Sequence, residues 1–171
     1  MNQFSLQQKV SQVTQLVNLE SWKFEINAAN NAFIHGQHSR AFEHYEAALV
    51  LAKSGVSHLL SREAVADLLA EAERQIAALV VTRHNLADLF RQSGSLDHAM
   101  EHLCDAHEAL FQLLHHSDLA LRAMAQRHLK ITYRELMSFV QRHGPQARIE
   151  QTLLLTQYIC DCCRQKAIAL N

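Results

Sequence analysis

His84-Asn85-Leu86-Ala87-Asp88-Leu89-Phe90, followed by Gly94, Leu96 and Ala99, is the stretch whose reading decides the fold. Leu86 and Phe90 keep the three- and four-residue spacing of an amphipathic helix. Gly94 stops that helix, and Ser95 is placed to cap the next one. Ala87, seven residues before Gly94, and Ala99 and Ala106, five and twelve after it, are small side chains that let two antiparallel helices approach closely. Leu103, nine after it, is the large apolar residue that fills the space between neighbouring hairpins.

The same offsets recur at another turn. Around Gly36 they select Ala29, Ala41, Tyr45 and Ala48. Around Gly144 they select Met137, Ile149, Leu153 and Thr156, so the apolar pattern survives there while the small residues are lost. Fixed offsets from turn glycines are the mark of an internal helix-turn-helix repeat.

These residues give the chain its resemblance to the tetratricopeptide repeat (TPR) family. The stretch from His84 to Ala99 looks like the family's N-L-G-x-x-Y…G-x-x-x-x-A core, and Ala29, Gly36, Ala41, Tyr45 and Ala48 match it nearly as well. Units near 22–53 and 76–110 carry the likeness, with a degenerate third over 130–160. The spacing departs from the family: the glycines are separated by 94 − 36 = 58 and 144 − 94 = 50 residues, against about 34 in tandem repeats. The helices are therefore longer, or an extra helical segment intervenes between Lys53 and Ile76.

The rest of the chain agrees with helices throughout. Its 171 residues include only 4 glycines and 1 proline, with 6% aromatics and 49% hydrophobic residues. That scarcity excludes a turn-rich β-sandwich and a glycine-looped nucleotide-binding domain. Leu6, Val10, Val13 and Val17 form a first apolar stripe, and Ser21 is read as the N-cap of the helix that ends at Gly36. A helix is expected from about Arg40 to Lys53, punctuated by Ser54-Gly55-Val56-Ser57. One continuous helix is expected over 61–93, since no breaker interrupts it. Ser95 and Ser117 are read as later N-caps, and Gly144-Pro145 as the stop before a last helix within 146–170. The expected fold is one all-α domain over 1–171, with about six or seven helices as antiparallel hairpins in a TPR-like right-handed superhelix or α-α bundle.

A net charge of −1 and a pI near 6.9 argue against bulk attraction to nucleic acid or an anionic membrane surface. No apolar run reaches the roughly 20 residues of a bilayer span, and the N-terminus has no signal-peptide pattern. A cytoplasmic location is expected, and the crowding of Cys160, Cys162 and Cys163 suits a reducing compartment better than a disulfide framework.

Function rests on a binding surface. In the TPR family the first helices of successive hairpins line a groove, where asparagines hydrogen-bond an extended peptide. The resemblance places Asn27, Asn30 and Asn85 at such positions, with Phe33, Ile34, His84 and Asp88 beside them. An Asn side chain donates and accepts at once, as a peptide group requires. The family's carboxylate clamp is not expected, because Ile26 replaces its first lysine and Lys130 and Arg134 are one residue out of register. His98, His102 and Asp105 share a helical face at i, i+4 and i+7, spacing that could hold a metal ion; a solvated polar face is the commoner meaning. Cys160 and Cys163 form a CxxC that would suit a redox pair, although buried thiols are more frequent. No catalytic motif or cofactor signature is present. The expectation is a non-catalytic module, without a cofactor, that binds an unidentified protein or peptide or pairs with itself as a homodimer. The alternatives are a His/Cys-based metal or redox sensor and a secretion-type chaperone for an unfolded client.

Overall fold

The structure, a computed structural model, describes residues 3–63 and 68–155, with side chains from residue 19 onward. It is all-helical, with no strand among the described residues. Five helices run α1 Gln3–Ile34, α2 His38–Leu60, α3 Leu69–Gln92, α4 Leu96–Leu113 and α5 Leu119–His143. A sixth, α6, is described over 147–155. Each helix from α1 to α5 packs on its neighbour in the chain, and the first helices of successive hairpins also touch, α1 with α3 and α3 with α5. That pattern stacks the hairpins α1–α2, α3–α4 and α5–α6 side by side.

The turn glycines do what their spacing predicts. Gly36, Gly94 and Gly144 have φ of 70°, 80° and 83°, a left-handed conformation that costs any residue with a Cβ. At the first two turns the following N–H reaches back five residues, from Gln37 to Ala32 O at 2.9 Å and from Ser95 to Phe90 O at 2.9 Å. This is the bond that closes a Schellman helix end. The third turn cannot make it, because Pro145 has no N–H; there Gly144 itself donates to Val140 O at 2.8 Å.

The repeat offsets are core positions. Ala29, Ala41 and Ala48 are fully buried, Ala87, Ala99 and Ala106 nearly so, and Tyr45 and Leu103 fill the hairpin interiors. In the third unit Ile149 keeps its place, but Met137 is 40% exposed and Leu136, one residue earlier, is buried in its stead. The main core draws on α1 to α5, and a smaller cluster joins Leu103, Cys104, Leu136, Phe139 and Ile149 across α4, α5 and α6. Burial of each such large apolar side chain stabilises the fold by about 2 kcal/mol. Trp22 adds a directional link, donating to Thr82 Oγ1 at 2.9 Å and tying α1 to α3.

Four expected boundaries differ. α2 does not stop at Lys53 but runs on through Ser54-Gly55-Val56-Ser57 to Leu60. The interval 61–93 is not one helix: α2 ends at Leu60 and α3 begins at Leu69. Local periodicity cannot see the cause, which is tertiary. His116 bonds the Arg62 carbonyl at 2.7 Å, and Ser117 Oγ donates to the Glu63 carbonyl at 3.1 Å, so the α4–α5 turn holds the helix end open. Ser21 is no N-cap but lies inside α1, which runs through a stretch without glycine or proline. Asp118 replaces Ser117 as N-cap of α5, accepting from the Ala120 and Leu121 N–H groups at 2.8 and 3.2 Å. Ser95 does cap α4 by position, though its side chain makes no capping bond. The side chains of Leu6, Val10, Val13 and Val17, and all of Thr156, Cys160, Cys162 and Cys163, lie outside the described residues.

Gly55 is the fourth glycine and does not end a helix. It lies within α2 beside buried Val56 and Leu59, where a Cβ would stand 1.8 Å from Gln75 Oε1 of α3. The glycine is there for close approach. Alanine at this position gains up to about 1 kcal/mol in helix propensity, but must push Gln75 from its bond to Glu71 at 2.8 Å in a buried site, a loss of about 2 kcal/mol. Gly55→Ala is expected to lower stability by about 1 kcal/mol in urea denaturation. In a Gln75→Ala background the same substitution should become neutral or stabilising. A stabilised single variant would contradict the packing role.

Candidate functional site

α1, α3 and α5, the first helices of the three hairpins, lie side by side and form one face of the stack. Two side-chain-sized cavities open on it. The first, of about 220 Å³, lies between α1, α2 and α3 and is lined by Asn30, Phe33, Ile34, Tyr45, Asn85 and Asp88. Phe33 and Tyr45 form its apolar wall, their rings meeting edge-on at 6.5 Å. Tyr45 Oη donates to Asn30 Oδ1 at 2.7 Å, and Asn85 Nδ2 donates to the same oxygen at 3.0 Å. Burial, helped by the Asp88 charge, pushes the Tyr45 hydroxyl up to about 12 and keeps it a donor at neutral pH. One carbonyl thus receives two bonds, while the Asn30 amide N–H groups and the Asn85 carbonyl have no partner among the described residues. Ile34 stands at the rim, 79% exposed.

The second cavity, of about 150 Å³, lies between α3, α4 and α5. Ala87, Ala99, Leu103 and Phe139 make its floor, and His84, Asp88, Arg91, Glu135 and Arg142 its polar walls. Asp88 accepts from Arg91 at 3.0 Å. Arg142 is turned to Ser138, donating through Nε to its carbonyl at 3.1 Å and through Nη2 to its hydroxyl at 2.7 Å. His84 Nε2 is buried and has no hydrogen-bond partner among the described residues. Burial pulls the His84 pKa below the ordinary imidazole value, against the opposing pull of Glu135 and Asp88, so the ring is neutral at pH 7.

Six of the seven residues expected on the groove line these cavities: Asn30, Phe33, Ile34, His84, Asn85 and Asp88. Asn27 does not; it is exposed, one turn before Asn30. The residues missed were Tyr45, read only as core, and Arg91, Glu135 and Arg142. Glu135, rather than Lys130 or Arg134, is the α5 side chain nine residues before Gly144, and the offset that picked out Asn85 would have found it.

His98, His102 and Asp105 form a different arrangement. His98 and His102 both stack on Phe90, with ring centroids 5.0 and 5.4 Å away. Arg83 Nη1 donates to His102 Nδ1 at 3.0 Å and pairs with Asp105 at 2.8 Å. A guanidinium therefore occupies the place that a metal ion would take between those two ligands. Burial, reinforced by the Arg83 and His98 charges, drives the His102 pKa down to about 4. No group of three or more His, Cys, Asp or Glu side chains able to hold a metal ion occurs among the described residues. No described helix is long and apolar enough to cross a membrane.

No curated protein and no solved structure matches the chain. Residues 20–171, which include both cavities and every turn glycine, match the profile of a family described as "Protein of unknown function (DUF2753)", and the chain belongs to that family.

Proposed function

We propose that the protein is a non-catalytic interaction module that binds an extended peptide segment of another protein on the α1–α3–α5 face, in the manner of a TPR groove. The observation that carries this reading is the Asn30–Asn85 pair. The two amides are bonded across neighbouring first helices, yet each keeps hydrogen-bonding capacity at the mouth of a cavity. A peptide group donates one bond and accepts another, which matches an amide NH2 and a carbonyl held side by side. The cavity sizes agree: about 220 and 150 Å³ are smaller than the roughly 300–1,000 Å³ of small-molecule and cofactor sites. They suit single side chains of a longer ligand.

The test is quantitative capture from lysate of the source cells by the full chain, compared with Asn85→Ala and Ile34→Asp. Ile34 is exposed enough for the latter to leave folding intact. Partners of the groove should fall at least fivefold in both variants, as expected for loss of about 1 kcal/mol or more at a contact. An identical partner set at undiminished yield would remove the groove assignment.

A further inference from the structure

The two cavities occupy the same place in successive hairpins. Asn30 and Asp88 lie six residues before Gly36 and Gly94, Phe33 and Arg91 three before them, and Tyr45 and Leu103 nine after them. The next hairpin closes each cavity from nine residues before its own turn glycine, with Asn85 in the first and Glu135 in the second. Four shared offsets mark one backbone niche repeated with new side chains. Asp88 lines both, so the niches adjoin. First helices packed about 9 Å apart correspond to about three residues of an extended chain at about 3.3 Å each.

The side chains state what the niches accept. In the second, Asp88 and Glu135 balance Arg91 and Arg142, and the first holds amides and a phenol beside the shared Asp88. Glu135 makes no hydrogen bond among the described residues, and Arg142 reaches only Ser138. An ammonium group entering the second niche meets two guanidinium groups, and a carboxylate meets two carboxylates. A neutral group that both donates and accepts can bond the Glu135 carboxylate or the Arg142 guanidinium without meeting a like charge.

We propose that the adjoining niches are two subsites for an uncharged extended peptide segment, the second taking an amide or hydroxyl side chain (Asn, Gln, Ser or Thr) about three residues from the side chain held in the first. This specificity rests on the peptide-groove reading above. It adds that recognition proceeds by neutral hydrogen bonding, and binding should be nearly indifferent to salt.

A displayed library of random peptides, containing charged and neutral residues equally, tests this with the full chain as bait. The wild-type protein should enrich Asn, Gln, Ser or Thr at one position by about tenfold. The best synthetic peptide should change its Kd less than about threefold between low and high NaCl. Glu135→Arg replaces an exposed, unpaired side chain, so folding is preserved while the niche becomes cationic; the enriched residue should switch to Asp or Glu. Wild-type enrichment of charged residues at that position, or an unchanged profile with Glu135→Arg, overturns the subsite assignment and leaves the groove standing. Failure of the wild-type chain to enrich any peptide removes the groove and the subsites together.

Discussion

Acidification from pH 7 to pH 4 should lower the stability of the protein by about 3 kcal/mol. His107 and His102 carry this effect. His107 is only 2% exposed, on α4, and its Nδ1 lies 2.7 Å from Thr132 Oγ1 of α5. Burial drives its pKa down to about 4, as it does for His102. In the unfolded chain both imidazoles titrate near the ordinary value of about 6.5. The unfolded state therefore takes up protons first. The stabilisation is complete above about pH 6.5 and is lost as pH falls through the window to about 4. Without screening, two such shifts would amount to roughly twice the quoted figure, and solvent screening at the part-exposed His102 lowers it. Glu73 and Glu108 also have depressed pKa values; for Glu108 the Arg148 bond is the largest cause, and for Glu73 burial, the largest single influence, pulls upward but is outweighed by the bonds and charges of His128 and Arg127 together. Their contributions are lost at lower pH, as each carboxylate protonates. Urea midpoints at pH 7, 5.5 and 4.5 should show the decline, and a His102→Gln/His107→Gln variant should flatten it. An equally steep decline in that variant would place the sensitivity elsewhere.

The contrast between what was legible in the sequence and what was not follows the range of the interactions. The turn glycines at 36, 94 and 144 were readable because a left-handed φ is a local demand that glycine meets. The small residues around the first two were readable because close helix packing repeats at fixed offsets. Gly55 was misread as punctuation, since its reason for being glycine is the Gln75 side chain twenty residues later on another helix. The break after Leu60 was invisible for the same kind of cause, as His116 and Ser117 hold it from more than fifty residues away. On the groove, the resemblance supplied the asparagines and Asp88 but not Arg91, Glu135 and Arg142, the other charged walls of the second niche. Applying the same offsets to the third hairpin reveals Glu135, although the small-residue pattern has faded there. The histidines of α4 show the opposite limit. Spacing put His98, His102 and Asp105 on one face, but only the fold could reveal that Arg83 stands among them.

Arg148→Met should be the most damaging polar substitution in the molecule, lowering stability by about 3 kcal/mol and the melting temperature by about 8 °C. Arg148 lies on α6 with its side chain 26% exposed. Glu101, Asp105 and Glu108 stand at i, i+4 and i+7 on α4, so three carboxylates share one face and repel one another. Arg148 reaches all three. Nε donates to Glu101 at 3.0 Å, Nη1 and Nη2 form a fork on Glu108, and Asp105 Oδ1 is 3.8 Å from Nη2. Thr152, fully buried, joins the cluster by donating to Glu108 at 2.8 Å. Methionine would keep the apolar stem while leaving the carboxylates to face one another without this cation. Arg148→Lys restores one charge but not the planar fork, and should recover less than half of the loss. Pairing Arg148→Met with Glu108→Gln should cost clearly less than the sum of the single changes, because the second removes a charge the first left uncompensated. Strict additivity in thermal denaturation would mean that the cluster is not a coupled unit. The cluster also separates stability from recognition. Arg148 fastens α6 to α4 and lines neither niche, so the Met variant, assayed below its melting temperature, should bind a groove-selected peptide with wild-type affinity while Asn85→Ala does not.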